Sequence, residues 1–190
     1  PTGRAAKVFG SYAEHPAFTI HKKIYRQKRF SNEPIDFLPM DNLHKDTLFI
    51  VDEASMISND GLDSVSFGSG RLLDDLIHYV YGGENCRLLL IGDEAQLPPT
   101  MQEYSPALQI DILKGYGMRV FTSTLTQIVR QAENSGTLFN ATKIRNSLLE
   151  ETTDAYPKLE INNFEDVKRV SGEELIDEIS AAYDRDGIED

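Results

Sequence analysis

The chain has 190 residues, of which 40% are hydrophobic and 26% charged, and its formal net charge is −12 at pH 7. It has no apolar run of about 18 residues, which argues against a membrane protein. Its one cysteine, Cys86, excludes an intramolecular disulfide and a multi-cysteine zinc site, and is predicted to be a buried core thiol. The overall charge argues against nucleic-acid binding, but residues 1–30 carry seven Lys or Arg against one Asp or Glu, whereas residues 150–190 carry four against fourteen. The basic stretch predicts either a contact surface for phosphate groups or an ordinary solvated helix face.

The first part of the chain is predicted to contain two short helices, a loop and a strand. Residues 4–13 and 19–29 have helical patterns, and residues 31–46 contain two prolines, which favours a loop. Residues 47–51 (TLFIV) are an apolar, β-branched run bounded by charged residues. This pattern is typical of a buried parallel strand.

A second strand and its flanking helices follow. Residues 71–81 repeat apolar positions at intervals of three and four, which predicts an amphipathic helix. Residues 87–91 (RLLLI) form the second buried-strand run. Residues 105–114 are predicted to form a helix, and residues 118–124 (MRVFTST) a third strand.

The C-terminal part is predicted to be helical and then acidic. Residues 126–149 have a helical pattern, and Ser171 with Glu174 resembles a capping box that opens a helix to about Tyr183. Since strands alternate with helices along the chain, the fold class is predicted to be α/β with a parallel sheet.

The first candidate functional segment is LFIVDEAS, residues 48–55, in which two carboxylates directly follow a buried strand. Ligands of open parallel sheets bind at the carboxyl ends of the strands. A carboxylate in this position can hold Mg²⁺ beside nucleotide phosphates, and its neighbour can activate the attacking water. We assign Asp52 to the metal and Glu53 to the base. The alternative is a helix start with acidic residues near its N-terminus.

The second candidate segment is LLLIGDEAQLPP, residues 88–99, which also ends a buried strand in polar residues. The side-chain amide of Gln96 can donate to a γ-phosphate or to the attacking water. The alternative is a plain turn from strand to loop. The co-occurrence of this segment with DEAS, about 40 residues earlier, favours the functional interpretation.

The third candidate segment is LTQIVRQ, residues 125–131, where the guanidinium of Arg130 can serve a transferring phosphoryl group. A single arginine on a helix is more often solvated.

The three strings DEAS, GDEAQLPP and LTQIVRQ, in this order, resemble the motifs of superfamily-one helicases of the RecD/Pif-like branch, the type of the exodeoxyribonuclease V alpha subunit. PTGRAA (residues 1–6) and TIH (residues 19–21) resemble that family's first DNA-contacting motifs. The resemblance covers about residues 1–135.

The resemblance implies a partial RecA-like P-loop NTPase domain over residues 1–125. Residues 126–190 would then be linker helices and an acidic segment leading into a second motor domain. It further implies an ATP-driven motor with Mg²⁺ that moves 5′ to 3′ on single-stranded DNA, separates duplexes and partners exonuclease-complex subunits.

The resemblance also implies roles for individual residues. Asp52 and Glu53 would be the metal and hydrolysis pair, Gln96 the γ-phosphate sensor and Arg130 an arginine finger. The residues expected to line the DNA path are Thr2, Gly3, Arg4 and His21.

The chain departs from the family's pattern at the phosphate-binding loop. No G-x-x-x-x-G-K-[ST] motif is present, although the family carries one upstream of PTGRAA, and the glycine-rich residues 67–71 lack the Lys-Ser/Thr pair. The sequence therefore resembles an excised middle of such a motor, and the chain alone is expected to be inactive. In the family's sheet, the missing strand would lie between residues 87–91 and 119–124, so we expect an open edge that favours self-association.

Two other classes of function stay open at this stage. One is an RNA helicase or another P-loop ATPase that shares the DE and GD-x-x-Q elements. The other is a catalytically dead module that binds a single strand or a protein partner. A single cysteine suits a cytoplasmic location.

Overall fold

The computed structural model describes residues 3–28, 36–61, 67–126, 135–149 and 156–186. The chain divides into two compact units, residues 1–123 and residues 124–190. The helices and strands of the first unit are α1 (Gly3–Ala13), α2 (Ile20–Ile24), β1 (Tyr25–Lys28), β2 (Asp36–Pro39), β3 (Leu48–Val51), α3 (Leu72–Tyr81), β4 (Arg87–Leu90) and α4 (Ile110–Gly115). Short 3₁₀ helices lie at Ala54–Met56 and Pro106–Leu108.

Strands β3 and β4 pair in parallel, with Leu48 opposite Arg87 and Val51 opposite Leu90. This confirms the two strands and the parallel sheet that the apolar runs predicted. Alternate side chains of both strands pack against the buried core, to which α3 contributes most of its length. Cys86, just before β4, is buried as predicted.

An outer sheet face is formed by Leu48 and Ile50 of β3, Leu89 of β4 and Ile91 directly after β4, which are 40–54% exposed. The prediction of buried strands therefore holds for one face of the sheet and is wrong for the other, within the part of the chain that the structure describes. Parallel sheets are normally covered by helices on both faces, and here the described residues cover one.

The predicted third strand at residues 118–124 is also wrong, since the structure has no regular strand there. A strand needs a neighbour to form a hydrogen-bond ladder, and the described residues provide none for this segment. Met118 and Val120 pack against the core while Phe121 is 81% exposed. The alternating pattern thus reflects one-sided packing without pairing.

The predicted helix at residues 19–29 ends at Ile24, and the predicted loop at residues 31–46 contains a strand. β1 and β2 form an antiparallel pair, with Tyr25 opposite Pro39. Tyr25 is buried, and its hydroxyl donates to Asp75 of α3 at 2.7 Å. Phe37 of β2 stacks on Phe67 with ring centroids 4.3 Å apart. These long-range contacts override the local helical preference of residues 25–28.

The predicted helix at residues 105–114 is divided into two parts. The 3₁₀ helix Pro106–Leu108 is followed by Gln109, whose extended backbone (φ −89°, ψ 113°) interrupts the helix before α4 begins at Ile110. The prediction of an α-helix was therefore correct for residues 110–114, but the prediction of one continuous helix from residue 105 was wrong.

The second unit contains α5 (Gly136–Leu149) and α6 (Leu175–Asp186). The predicted helix at residues 126–149 is observed from Gly136, and residues 127–134 lie outside the described part. The carboxylate of Asp166 caps α5, because it accepts hydrogen bonds from the backbone N–H groups of Gly136 at 2.7 Å and Thr137 at 3.1 Å.

The capping box before α6 is confirmed. The N–H of Glu174 donates to Ser171 Oγ at 3.3 Å, and the N–H of Ser171 donates to the Glu174 carboxylate at 3.0 Å. This reciprocal pair satisfies two N–H groups at the start of a helix. Helix α6 continues three residues beyond the predicted end at Tyr183. None of the helices that the structure describes is both long and apolar enough to cross a bilayer.

Candidate functional site

The loops that follow β3 and β4 are joined by backbone hydrogen bonds at the carboxyl end of the sheet. The N–H of Ile91 donates to the carbonyl of Val51 at 2.8 Å, and the N–H of Ala54 donates to the carbonyl of Ile91 at 2.8 Å. The sheet ladder thus continues past the last paired residues of both strands. It places the DEAS and GDEAQ segments side by side, where ligands of parallel sheets bind.

Asp52 and Glu53 lie in the tight turn that leaves β3. Both are half-buried, and the N–H of Glu53 donates to Asp52 Oδ1 at 3.0 Å. Glu53 has a left-handed backbone (φ 56°, ψ 40°), after which the chain enters the 3₁₀ helix Ala54–Met56. A left-handed conformation is costly for a residue with a Cβ atom, and such strained residues occur at functional sites as well as in ordinary turns.

Ser105 stabilises the turn after β3 from the core side. It is a buried residue that the sequence analysis did not predict as part of the site. Its hydroxyl oxygen lies 2.8 Å from the carbonyl oxygens of both Ala54 and Ile57, which share its single proton. It also accepts from the N–H of Ala107 at 3.3 Å. The dipeptide Ser105-Pro106 is a typical helix start. From the sequence, Ser105 is therefore expected only to cap a helix, and its contact with the turn after β3 cannot be predicted.

Ser55 sits in the same turn and is 2% exposed. Its Oγ atom is buried and has no hydrogen-bond partner among the residues that the structure describes. Buried hydroxyl groups are normally paired. Ser55 is therefore a polar group next to Asp52 and Glu53 whose pairing is incomplete in this structure.

The loop after β4 begins with a turn that Asp93 organises. Asp93 Oδ1 accepts from the N–H of Ala95 at 3.1 Å, and the Asp93 carbonyl accepts from the N–H of Gln96 at 3.1 Å. The side chain of Gln96 is exposed. The structure therefore places Gln96 in a defined turn with its amide open to a ligand.

The structure brings together only some of the predicted site residues. Asp52, Glu53 and the loop of Gln96 share the carboxyl end of the sheet. Gly3 and Arg4 are exposed in the first turn of α1. Thr2 and Arg130 lie outside the described residues.

His21 has a packing role in addition to any ligand contact. Its ring meets Phe67 edge to face at 4.9 Å and lies 5.7 Å from the ring of Tyr25. This aromatic cluster connects α2 with the segment before α3.

Asp52 fits a divalent cation in its chemistry, because carboxylate oxygens are the hard donors that Mg²⁺ prefers. Within the described ranges, no group of three or more His, Cys, Asp or Glu is arranged to hold a metal ion. A Mg²⁺ ion on a nucleotide usually takes one or two carboxylates, with water and phosphate completing the shell. Asp52 therefore fits a Mg²⁺ ion that binds together with a nucleotide.

The glycine-rich residues 67–71, which lack the Lys-Ser/Thr pair, do not form a phosphate cradle. The N–H of Gly70 donates to the carbonyl of Phe67, and the N–H of Ser69 donates to Asp75, both at 2.9 Å. These amides are already committed within the protein.

Residues 1–160 match the model of a protein family described as an AAA domain. No curated protein and no solved structure gives a significant match to the chain. The family match covers both segments at the carboxyl end of the sheet and most of the chain.

Proposed function

The chain belongs to the AAA domain family, whose domains are P-loop ATPases, and from this premise we propose that it is part of an ATP-dependent DNA helicase. Family membership supports nucleotide hydrolysis. The finer proposal, a RecD/Pif-like motor that moves 5′ to 3′ on single-stranded DNA, is supported by the motif strings DEAS, GDEAQLPP and LTQIVRQ. The observation that supports the proposed ATPase site is the 2.8 Å hydrogen bond from the N–H of Ala54 to the carbonyl of Ile91, which joins the first two of these segments.

Asp52 is proposed to hold the magnesium ion that accompanies ATP. Its Oδ1 accepts the N–H of Glu53, so Oδ2 is the donor proposed for the cation or its water shell. The bound cation would neutralise charge that develops on the phosphate oxygens. The proposed role of Asp52 is to hold this cation in position beside the phosphate oxygens.

Glu53 is proposed to take the proton from the attacking water. A general base must be held within hydrogen-bond reach of the proton that it abstracts. The left-handed backbone of Glu53 and the bond from its N–H to Asp52 fix the start of its side chain. Ser105 supports the same turn from the core side.

Gln96 and Arg130 are proposed to respond to the γ-phosphate. The amide of Gln96 can donate to a phosphate oxygen from the turn that Asp93 organises. The proposed role of Arg130 as an arginine finger rests on its place in LTQIVRQ. A planar guanidinium is suited to bridging phosphate oxygens.

The DNA strand is proposed to run over the N-terminal segment. Gly3 and Arg4 are exposed in the first turn of α1. The proposal that Thr2 and His21 contact DNA rests on the PTGRAA and TIH strings. Exonuclease-complex subunits and the cytoplasm remain proposals for partner and location.

The test is the change Glu53→Gln in the protein that carries this chain. The amide keeps the shape of the side chain but cannot accept a proton from water. We expect ATP hydrolysis to be lost while binding of a fluorescent ATP analogue is retained. Asp52→Asn should weaken Mg²⁺-dependent binding of the same analogue.

The matched control is Glu103→Gln, which makes the same chemical change at an exposed position in the same unit. It should hydrolyse ATP at the unmodified rate. Normal hydrolysis by Glu53→Gln would show that the base lies elsewhere.

A further inference from the structure

The loop that carries Gln96 is held at both of its ends against the turn that carries Glu53. Before the loop, the carbonyl of Ile91 accepts the N–H of Ala54 at 2.8 Å. After the loop, the hydroxyl oxygen of Ser105 lies 2.8 Å from the carbonyl oxygen of Ala54. Because Ala54 directly follows Glu53 in the chain, the backbone of a single residue connects the two proposed reactive segments.

Ser105 makes its part of this connection from within the core. It is 4% exposed, and its hydroxyl oxygen also lies 2.8 Å from the carbonyl oxygen of Ile57. Ala54 and Ile57 are both fully buried. A buried carbonyl oxygen that loses its donor costs more free energy than a typical hydrogen bond contributes. Removal of the Ser105 hydroxyl should therefore make the turn shift.

The position of the Ser105 side chain is itself defined from a second direction. Its Oγ accepts the N–H of Ala107 at 3.3 Å, which caps the 3₁₀ helix that begins at Pro106. Pro106 and Ala107 are buried. The hydroxyl group thus cannot rotate away from the turn after β3 without losing the cap as well.

The backbone of Glu53 depends on such support. A residue with a Cβ atom keeps a left-handed conformation (here φ 56°, ψ 40°) only when the surrounding structure holds it. On one side, the N–H of Glu53 donates to Asp52 Oδ1 at 3.0 Å. On the other side, both backbone polar groups of Ala54 are bonded, to Ile91 and to Ser105. These contacts define the direction in which the Glu53 side chain leaves the turn.

We propose that Ser105 is a positioning residue for ATP hydrolysis, which acts on the reacting water through the turn of Glu53. The proposal rests on the proposed function and adds a residue to its site. Ser105 acts without contacting the nucleotide, because its hydroxyl keeps Glu53 in a fixed relation to the loop of Gln96. A displacement of a catalytic group by about 1 Å can slow a reaction roughly a hundredfold, so a small shift of the turn is enough to lower the rate.

The experiment measures ATP hydrolysis and the binding of a fluorescent ATP analogue in the protein that carries this chain. Ser105→Ala should reduce kcat roughly 10- to 100-fold and leave the Kd of the analogue unchanged. The number of analogue molecules bound per chain gives the folded fraction, so that kcat refers to folded protein. Ser105→Thr keeps the hydroxyl and should restore most of the rate. If Ser105→Ala does not fold, Ser105→Cys keeps the volume with only a weak donor and gives the same test.

A second measurement reports on the turn itself in the 190-residue chain. The N–H of Ala54 is protected from exchange with solvent by its hydrogen bond to Ile91. Ser105→Ala should speed amide exchange at Ala54 about fivefold, the change expected for the loss of one hydrogen bond, and Ser105→Thr should not. Because this measurement contains no ATP, it tests the geometry separately from the reaction.

Two control variants separate positioning from a general loss of stability. Ser171→Ala makes the same chemical change and removes the hydroxyl that caps α6 in the second unit. Tyr116→Phe removes a hydroxyl hydrogen bond to Asp74 in the first unit. Both should leave kcat of the folded protein unchanged.

Several results would overturn the proposal. These are a normal kcat or normal exchange at Ala54 in Ser105→Ala, an equal loss of kcat in Ser105→Thr, and an equal loss of kcat in Tyr116→Phe. A normal kcat in Ser105→Ala beside an inactive Glu53→Gln would overturn this inference alone. Normal hydrolysis by Glu53→Gln would instead overturn the proposed function.

Discussion

A Cβ atom added to Gly92 would lie 2.9 Å from the backbone nitrogen of Ser55. It would also lie 3.0 and 3.1 Å from the two methyl carbons of Leu108. Backbone and core atoms cannot move aside as the end of a long surface side chain can. The absence of a side chain at position 92 is therefore what allows the loop after β4 to approach the turn after β3.

Gly92→Ala should destabilise the first unit by about 1–3 kcal/mol, the usual cost of forcing extra atoms into a packed region. Urea unfolding measures this difference. Gly115→Ala is the control, because a Cβ atom there has no neighbour within 4 Å. Equal unfolding midpoints for the two variants would show that the turns can separate without cost.

Tyr116 predicts a pH dependence of stability at alkaline pH. Burial and, next, a hydrogen bond to Asp74 raise the pKa of Tyr116 from 10.0 to about 12. The folded state keeps this proton between pH 10 and about 12, whereas the unfolded state loses it, so stability should be complete below pH 10 and fall as the pH rises through this interval.

Tyr116→Phe should remove this part of the pH dependence. Below pH 10 it should also lower the free energy of unfolding by about 1 kcal/mol, through the lost hydrogen bond. The measurement is the difference in unfolding free energy between the two proteins across the interval, which cancels the titration of the other tyrosines. A difference that stays constant with pH would contradict the assignment.

Asp166 predicts the opposite pH dependence in the second unit. Hydrogen bonds from the hydroxyl of Ser135 and then from the N–H groups of Thr137 and Gly136 hold the pKa of Asp166 well below its usual range. Its contribution should be complete above the unfolded pKa of about 4 and be lost as the pH falls below that value.

Asp166→Asn should therefore lower the melting temperature at neutral pH and leave it nearly unchanged in strong acid. Thermal unfolding followed by circular dichroism gives both values. Glu165→Gln, a neutralised neighbour on the exposed surface, is the control. A uniform decrease at every pH would mean that Asp166 acts through packing alone.

Arg130 should contribute to hydrolysis in the protein that carries this chain. If it is an arginine finger, Arg130→Ala should reduce kcat by about 10³-fold or more, and Arg130→Lys should restore little because lysine offers no planar fork. The ATPase rate of both variants is the measurement. Near-normal rates would place Arg130 on a solvated surface.

The outer sheet face should promote self-association of the 190-residue chain. Leu48, Ile50, Leu89 and Ile91 expose apolar surface next to strand edges that none of the described strands pairs with, and such an edge is a template for intermolecular pairing. Sedimentation at increasing concentration should show oligomers that Ile50→Thr with Leu89→Thr reduces. Leu97→Thr, at an 85% exposed loop position, should not, and a monomer at all concentrations would contradict the expectation.

The sequence analysis correctly predicted those structural elements that are determined by neighbouring residues in the chain. The apolar runs at residues 47–51 and 87–91 and the Ser171–Glu174 capping box have their signals within a few residues. The β1–β2 pair was missed because its stability depends on Tyr25 meeting Asp75, 50 residues away. No local pattern contains that contact.

The same distinction applies to the candidate site. That DEAS and GDEAQ lie together follows from parallel strands, whose carboxyl ends share one edge. Ser105 supports the turn after β3 through a long-range contact, and an open cleft is lined by Phe18 and His44. Both features depend on how distant segments pack. The catalytic and DNA-binding roles stay predictions until the variants above are measured.

The left-handed backbone of Glu53 has a consequence for protein engineering. This conformation costs a residue with a Cβ atom roughly 1–2 kcal/mol, whereas glycine adopts it freely. Glu53→Gly should thus raise the melting temperature while removing the carboxylate. Directed evolution for thermal tolerance alone would be expected to enrich glycine at position 53, so a library intended to keep activity must hold this codon fixed or select for hydrolysis at the same time.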